Sequence, residues 1–387
     1  MYSLVHYTGM DLTLSRSEQA FRDELRAWLA HNHPGEAPPG EDAAFDHRRA
    51  WQRQLFDAGY AGFSWPTEYG GRGATLVEQA LFGEEMARAK ALSPANILGM
   101  VMGGPVVITH GDDEQKTRWL RPILTGEEIW CQGFSEPDSG SDLSSLKTKA
   151  VKSNGEWIVT GQKVWTTFAH KAKWCMLVAR TEPDAPKHQG LTYFIMDMEQ
   201  EAVQVRPLYQ ITNEPEFNEL FMEEARIPDQ NVVGGVGNGW AVAITTLMNE
   251  RAGLGAASAA GVRMALEELK QLACERGVED DPLVRQKLAQ LTIEVELLRL
   301  NSWRGLTMTM KRGVPGPEGS LPKWQWGEIN QALTEVAVEI LDEEGNYWES
   351  PWTYRLLRSR ANSIEGGTTE ILKNIIAERV LGLPKLR

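Results

Sequence analysis

Residues 146–167 read LKTKAVKSNGEWIVTGQKVWTT and lie between two helical parts of the chain. Two runs rich in β-branched and aromatic residues flank Asn154-Gly155 in this stretch. An Asn-Gly pair between such runs favours a two-residue hairpin turn, because both turn residues need a positive φ. The stretch therefore predicts a β-hairpin near the middle of the chain.

Further strand-like runs surround this hairpin. WCMLVART (174–181) and LTYFIMDM (191–198) are continuous apolar runs, and VQVRPLYQ (203–210) and NELFMEEARIP (218–228) extend the set. Runs of this length and composition are typical of strands. We therefore predict a β domain over residues 128–232.

Helical patterns lie on both sides of the predicted β domain. LSRSEQAFRDELRAWLA (14–30) places Phe21, Leu25, Trp28 and Leu29 on one face, after a Ser15–Glu18 pair with capping-box spacing. We predict a helical domain over residues 1–127. After the β domain, two helical runs exceed thirty residues, and Asp281 before Pro282 is suited to cap the second. Residues 233–387 are predicted to form a C-terminal helical bundle.

The bulk composition excludes some classes of function. A net charge of −13 over 387 residues argues against nonspecific binding to nucleic acid or to an anionic membrane surface. Three widely spaced cysteines fit neither a disulfide framework nor a zinc site, so we expect buried free thiols. No apolar run is long enough to span a bilayer, and we expect a cytoplasmic protein.

A glycine-rich stretch, GGVGNGW (234–240), resembles a dinucleotide-binding fingerprint. Trp240 occupies the position of the third glycine, and no βαβ pattern surrounds the stretch. We therefore reject a Rossmann domain.

Two motifs in the β domain carry a resemblance to a known family. GFSEPDSGSDLSSLKTKA (133–150) and GQKVWTTFAHKAKW (161–174) resemble the flavin-binding domain of acyl-CoA dehydrogenases in content, order and separation. AGFSWPTEYGGRG (61–73), GDDEQKTRWLRPILTGE (111–127) and GTTEILKNIIAERVLG (367–382) extend the resemblance over most of the chain. It implies an α+β fold with an N-terminal helical domain, a middle β-barrel-like domain and a C-terminal four-helix bundle. It also implies FAD as cofactor.

The resemblance assigns roles at the flavin. Trp165 would cover one flavin face, Thr167 would bond near N5 and O4, and Ser135 would lie near the pyrimidine oxygens. The remaining contacts to FAD are assigned to Gln132, Phe134, Ser141 and Thr368. A flavin needs a flat apolar wall and a few polar groups at its pyrimidine edge, and these residue types supply both.

The position of the catalytic base departs from the commonest family pattern. In SIEGGTTEIL (363–372) the family register puts Gly366 where many members have a glutamate, and Glu365 falls one residue early. A second branch carries its base on an earlier helix, immediately before an arginine, as Glu250 and Arg251 stand here. From the residues alone, Glu250 is either structurally paired or functional. The resemblance assigns it the base, with Arg251 orienting the site and the Gly366 N–H facing the thioester oxygen.

The family's reaction is α,β-dehydrogenation of an acyl-CoA: a carboxylate removes the α-proton and the β-hydrogen leaves as hydride to flavin N5. Homotetrameric members complete each FAD site with Arg-x-x-Phe-Gly and Gln-x-x-Gly-Gly segments of a neighbouring subunit. Here those places read GVEDDPLVRQ (277–286) and EILDEEGNYW (339–348). Their carboxylates suit a pyrophosphate poorly, because like charges repel.

Because it lacks these two motifs, the chain resembles subunits of the heterotetrameric acyl-CoA dehydrogenases of actinobacterial steroid degradation. This resemblance implies a hetero-oligomer with a second acyl-CoA dehydrogenase-like subunit, a steroid side-chain or other bulky acyl-CoA as substrate, and electron-transferring flavoprotein as acceptor. Three alternatives stay open. They are a homo-oligomeric fatty acyl-CoA dehydrogenase, a non-catalytic flavin-binding subunit and an oxidase that uses O₂.

Overall fold

A computed structural model describes residues 13–313 and 316–385, without the side chains of 251–256. Helices form its N-terminal part: α1 (Arg16–Asn32), α2 (Glu41–Asp57), α3 (Leu76–Arg88), α4 (Gly104–His110) and α5 (Asp113–Thr125). The predicted capping box of α1 is confirmed, since Ser15 and Glu18 bond reciprocally. Phe21, Leu25 and Leu29 are buried on one face of this helix.

The middle part is a single sheet. Its strands are β1 (Trp130–Gly133), β2 (Lys149–Ser153), β3 (Glu156–Thr167), β4 (Trp174–Arg180), β5 (Leu191–Asp197), β6 (Val203–Leu208), β7 (Phe217–Pro228) and β8 (Val232–Val233). Their order is β6-β7-β3-β2-β4-β5-β8, and β1 pairs with β4 in parallel. The predicted hairpin is confirmed, because β2 and β3 are antiparallel and Asn154 and Gly155 both have positive φ.

The C-terminal part is helical. Its helices are α6 (Gly239–Glu275), α7 (Pro282–Arg312), α8 (Ser320–Leu341), α9 (Pro351–Ser359) and α10 (Thr369–Ile375). The Asp281 carboxylate accepts the N–H groups of Leu283 and Val284 and so caps α7, as predicted. Leu269, Leu298 and Leu333 are fully buried where α6, α7 and α8 pack together. The predicted three-part fold is confirmed.

The three parts meet around the first turns of α6. Val242 and Ala243 are fully buried in the same apolar cluster as Tyr193 of β5 and Val107 of α4. Burial of such side chains stabilises the junction by about 1.5–3 kcal/mol for each large aliphatic group. The first turns of α6 are therefore fixed against both the sheet and the N-terminal helices.

Two of the three cysteines follow the sequence prediction. Cys131 and Cys175 are buried free thiols on the paired strands β1 and β4, whereas Cys274 is exposed, contrary to the prediction. Cys274 lies near the end of α6, where only one face of the helix is covered. Among the described residues, no helix is long and apolar enough to cross a membrane, and no cluster of His, Cys, Asp or Glu could hold a metal ion.

Candidate active site

Trp165 is an exposed aromatic side chain in an unusual backbone conformation. The pairing of β3 with β7 is interrupted between Lys163 and Thr166, and Trp165 in this bulge has φ 61°. A left-handed conformation costs a residue other than glycine about 1–3 kcal/mol and recurs at ligand sites. The indole is 61% exposed and meets Phe217 edge-on, with ring centroids 6.0 Å apart. The bulge thus presents a flat apolar surface.

The end of β1 lies beside this surface. The Val164 N–H donates to the carbonyl oxygen of Ser135 at 2.9 Å, so the chain after β1 runs next to Trp165. Thr167 is half-buried and pairs with Phe217 across the strands. The structure therefore brings Ser135, Trp165 and Thr167 together, although they are up to 32 residues apart.

Three buried polar atoms of β1 and β3 have no hydrogen-bond partner among the described residues: Nε1 of Trp130, Nε2 of Gln132 and Oγ1 of Thr166. Trp130 and Thr166 are almost fully buried, whereas Gln132 is half-buried. Buried polar atoms are rarely left unpaired in folded proteins. A ligand with a polar edge, such as the pyrimidine ring of a flavin, would supply a partner for the half-buried Gln132. The residues present therefore fit FAD: Trp165 would form the wall, and Gln132, Ser135 and Thr167 would face the polar edge of the ring.

The sequence did not predict a buried ion pair between β3 and the segment that follows β1. Lys163 is fully buried, and its Nζ donates to the carbonyl oxygen of Phe134 (3.0 Å) and to Glu136 Oε1 (2.9 Å). Glu136 also accepts the N–H groups of Lys147 (2.6 Å) and Thr148 (2.9 Å). Burial favours the neutral acid, but Lys163 and these bonds outweigh it and lower the pKa of Glu136. The pair holds both ends of the loop 136–148.

Replacing Lys163 by Met is expected to reduce the free energy of unfolding by about 3–5 kcal/mol, because Glu136 is left as an uncompensated buried charge. Urea denaturation measures this loss. Lys152→Met, which removes the exposed pair with Asp229, is the matched control and should cost less than about 1 kcal/mol. The double variant Lys163→Met/Glu136→Gln should recover part of the stability. A double variant less stable than Lys163→Met would contradict this account.

Ser141 lies on that loop and is exposed. Its neighbour Asp142 accepts from Ser144 (2.7 Å) and pairs with Lys187 (3.1 Å), and these contacts lower the pKa of Asp142. The loop is thus attached to the turn before β5. The assignment of Ser141 to the pyrophosphate stays a prediction.

The glycine loop before α10 is held from α8. Nζ of buried Lys323 donates to the carbonyl oxygens of Asn362 (2.7 Å) and Gly367 (3.2 Å), and Asn330 donates to Asn362 Oδ1 (2.7 Å). Gly366 and Gly367 have φ of 65° and 103°, conformations that glycine adopts readily. Thr368 caps α10 by accepting the N–H of Ile371 at 3.3 Å. This loop offers backbone groups and no carboxylate at Gly366.

Neither glutamate of this loop is placed as a free base. The Glu365 carboxylate accepts from Asn362 (2.6 Å) and pairs with Arg358 (3.0 Å). Glu370 is exposed in the first turn of α10. The location of the base on α6 stays a prediction.

Glu250 is half-buried on α6, one turn after Thr246. Thr246 Oγ1 is 3.3 Å from the Tyr193 hydroxyl, and the Tyr193 ring meets Phe134 edge-on at 6.0 Å. The Tyr193 side chain therefore lies between this part of α6 and Phe134, in the segment that follows β1. The side chain of Arg251 lies outside the described part of the structure.

The two residues that flank segment 277–286 form ion pairs with segment 339–348. Arg276, at the end of α6, forms an ion pair with Glu344, and Lys287 of α7 forms one with Glu339. Asp342 and Glu343 are exposed. Arg276 and Lys287 are thus neutralised by Glu344 and Glu339. The corner formed by residues 339–344 therefore presents exposed carboxylates.

Three family models match successive parts of the chain. The acyl-CoA dehydrogenase N-terminal domain covers residues 15–127, the middle domain 131–224 and the C-terminal domain 237–381. These three domains in this order define a class of flavin-dependent oxidoreductases. The chain belongs to the acyl-CoA dehydrogenase family, whose members depend on FAD.

Named relatives and solved structures refine this assignment. Acyl-CoA dehydrogenase IpdE1 of Mycolicibacterium smegmatis is 40% identical, over 95% of this chain and 98% of that protein. The Tcur3481-Tcur3483 steroid ACAD matches with a TM-score of 0.85 and 28% identity, over 97% of this chain and all of that one. The ChsE4-ChsE5 complex from Mycobacterium tuberculosis matches with a TM-score of 0.84 and 27% identity, over 97% of this chain and all of that one.

Proposed function

We propose that this chain is the catalytic subunit of a heteromeric, FAD-dependent acyl-CoA dehydrogenase that acts on a bulky, steroid-derived acyl-CoA. The observation that carries the proposal is the exposed, left-handed Trp165 beside Ser135, with an unpaired polar atom of the half-buried Gln132 at the end of β1. A family member with such a surface is equipped to hold a flavin.

Glu250 takes the α-proton of the bound thioester in this proposal. Glu250 is half-buried on α6, whose first turns pack against the sheet. This position limits the hydration of its carboxylate, and a less hydrated carboxylate is a stronger base. FAD, when bound, supplies the acceptor for the β-hydride. The Gly366 N–H polarises the thioester carbonyl, and preorganised backbone donors of this kind stabilise an enolate-like transition state. Trp165 excludes water from one side of the reacting groups.

The proposal of a second, different subunit rests on the acidic corner at Glu339–Glu344. This corner offers carboxylates where homotetrameric members offer donors to the ADP half of FAD, and its Arg276 and Lys287 are paired internally. The Tcur3481-Tcur3483 and ChsE4-ChsE5 relatives are each named for two proteins. We therefore assign the ADP contacts to a related partner that carries the missing motifs.

FAD content with and without the partner tests this proposal. The chain purified alone is expected to hold well under one FAD per subunit, because half of the cofactor lacks its contacts. Co-expression with an acyl-CoA dehydrogenase-like protein carrying Arg-x-x-Phe-Gly and Gln-x-x-Gly-Gly should raise the content severalfold. Full occupancy in the chain alone would refute the heteromer.

Turnover assays on the reconstituted complex separate the substrate and acceptor alternatives. We expect a steroid-derived acyl-CoA to give a higher kcat/KM than straight-chain acyl-CoAs, with electron-transferring flavoprotein as acceptor. A preference for straight chains would favour an ordinary fatty acyl-CoA dehydrogenase. Oxygen consumption without any other acceptor would favour an oxidase.

A further inference from the structure

Arg358 connects two parts of the site that are distant in sequence. It lies near the end of α9, and its Nη2 is 3.0 Å from Glu365 Oε2, directly before Gly366. Its Nε is 3.3 Å from Oε2 of Glu216, the residue that precedes β7. One guanidinium thus joins the glycine loop to the start of a strand in the sheet.

Arg358 also approaches the pair of aromatic side chains Phe217 and Trp165. The guanidinium carbon of Arg358 is 6.0 Å from the ring centroid of Phe217, and that ring meets Trp165 edge-on. The side chains of Arg358, Glu216 and Glu365 are only 24%, 24% and 30% exposed, so solvent screens them incompletely. Burial disfavours the charged guanidinium, but Glu365 and Glu216 outweigh it and raise the pKa of Arg358.

Other contacts hold the loop and α9 independently of Arg358. Lys323 and Asn330 attach the loop to α8, which fixes it against the C-terminal helices. The Tyr354 hydroxyl donates to Glu214 Oε2 at 2.7 Å and attaches α9 to the segment before β7. Loss of Arg358 should therefore leave the fold intact while it releases the loop from the sheet.

We infer that Arg358 is a positioning residue, which sets the glycine loop with Gly366 in register with the wall formed by Trp165. The inference rests on the proposed function, in which the Gly366 N–H faces the thioester and Trp165 faces the flavin. Arginine suits this role because its planar fork bonds two carboxylates in fixed directions, whereas lysine offers a single compact charge.

Variants of Arg358 in the reconstituted complex test the inference. Arg358→Met is expected to lower kcat about tenfold to a hundredfold, since a misplacement of about 1 Å can cost that much. KM for the acyl-CoA and FAD content should change less than about threefold, and the visible spectrum of the bound flavin should shift. Arg358→Lys should recover only part of the rate. Arg360→Met is the matched control, because Arg360 pairs with Glu335 of α8 and not with the sheet.

Three results would overturn the inference: an unchanged kcat and flavin spectrum in Arg358→Met, equal losses in Arg358→Met and Arg360→Met, or a loss of kcat that only follows a fall in FAD content and melting temperature. If the wild-type complex binds FAD but oxidises no acyl-CoA, the proposed function fails. The flavin spectrum of Arg358→Met against Arg360→Met then still decides whether Arg358 positions the loop.

Discussion

Glu250→Gln in the reconstituted complex is expected to lower kcat by about a thousandfold, because general-base catalysis contributes about 10²–10⁴-fold. Gln keeps the shape of the side chain but cannot accept the α-proton. The substitution should leave FAD content and KM close to those of the wild type. Steady-state turnover with an artificial electron acceptor measures kcat and KM together.

The glutamates near Gly366 provide controls for this prediction. Glu370→Gln changes an exposed carboxylate on α10 and should leave kcat within about twofold of the wild type. Glu365→Gln removes one of the two ion pairs of Arg358 and should weaken turnover far less than Glu250→Gln. A thousandfold loss in Glu365→Gln together with an active Glu250→Gln would move the base to the glycine loop.

Trp165→Ala is expected to weaken FAD binding about a hundredfold, which corresponds to about 2.8 kcal/mol at 1.4 kcal/mol for each tenfold change. The indole supplies the flat wall, and the loss of its contact area and stacking accounts for an effect of this size. Because the side chain is 61% exposed, the same change should alter the free energy of unfolding of the FAD-free chain by less than about 1 kcal/mol.

Trp157→Ala is the matched control for Trp165→Ala. Trp157 lies on the same strand but is only 4% exposed and packs edge-on against Phe194. Its removal should cost about 3–5 kcal/mol of unfolding free energy, as large-to-small core substitutions do. Equilibrium dialysis of FAD and urea denaturation on both variants separate binding from stability. Equal FAD affinity in Trp165→Ala and wild type would reject Trp165 as the flavin wall.

Local features of the fold were predicted from the sequence because short-range chemistry determines them. The Asn154-Gly155 turn needs two residues with positive φ, and the Ser15 and Asp281 caps need an oxygen just before a helical run. The family motifs then identified the residues that surround Trp165, and the structure brings several of them together. The roles assigned to them remain predictions.

Features that depend on pairing between distant segments were not predicted. The bulge that turns Trp165 outward arises from the register of β3 with β7, where Thr166 pairs with Asn218. The bridge from Glu365 through Arg358 to Glu216 requires α9, which the periodicity did not reveal. The burial of Lys163 left no signal in the sequence, because Lys163 stands between Gln162 and Val164 and its partner Glu136 lies in a loop 27 residues away.

Hydrogen exchange at the α carbon of the substrate tests the central claim most directly, because it reports proton removal apart from every later step. The reconstituted complex is incubated without oxygen or other acceptor in deuterated water, with an acyl-CoA, and deuterium at the α carbon is measured by mass spectrometry. We predict rapid incorporation with the wild type and with Glu370→Gln, and a rate lower by about a thousandfold with Glu250→Gln. Incorporation at the wild-type rate with Glu250→Gln would contradict the assignment of Glu250 as the base.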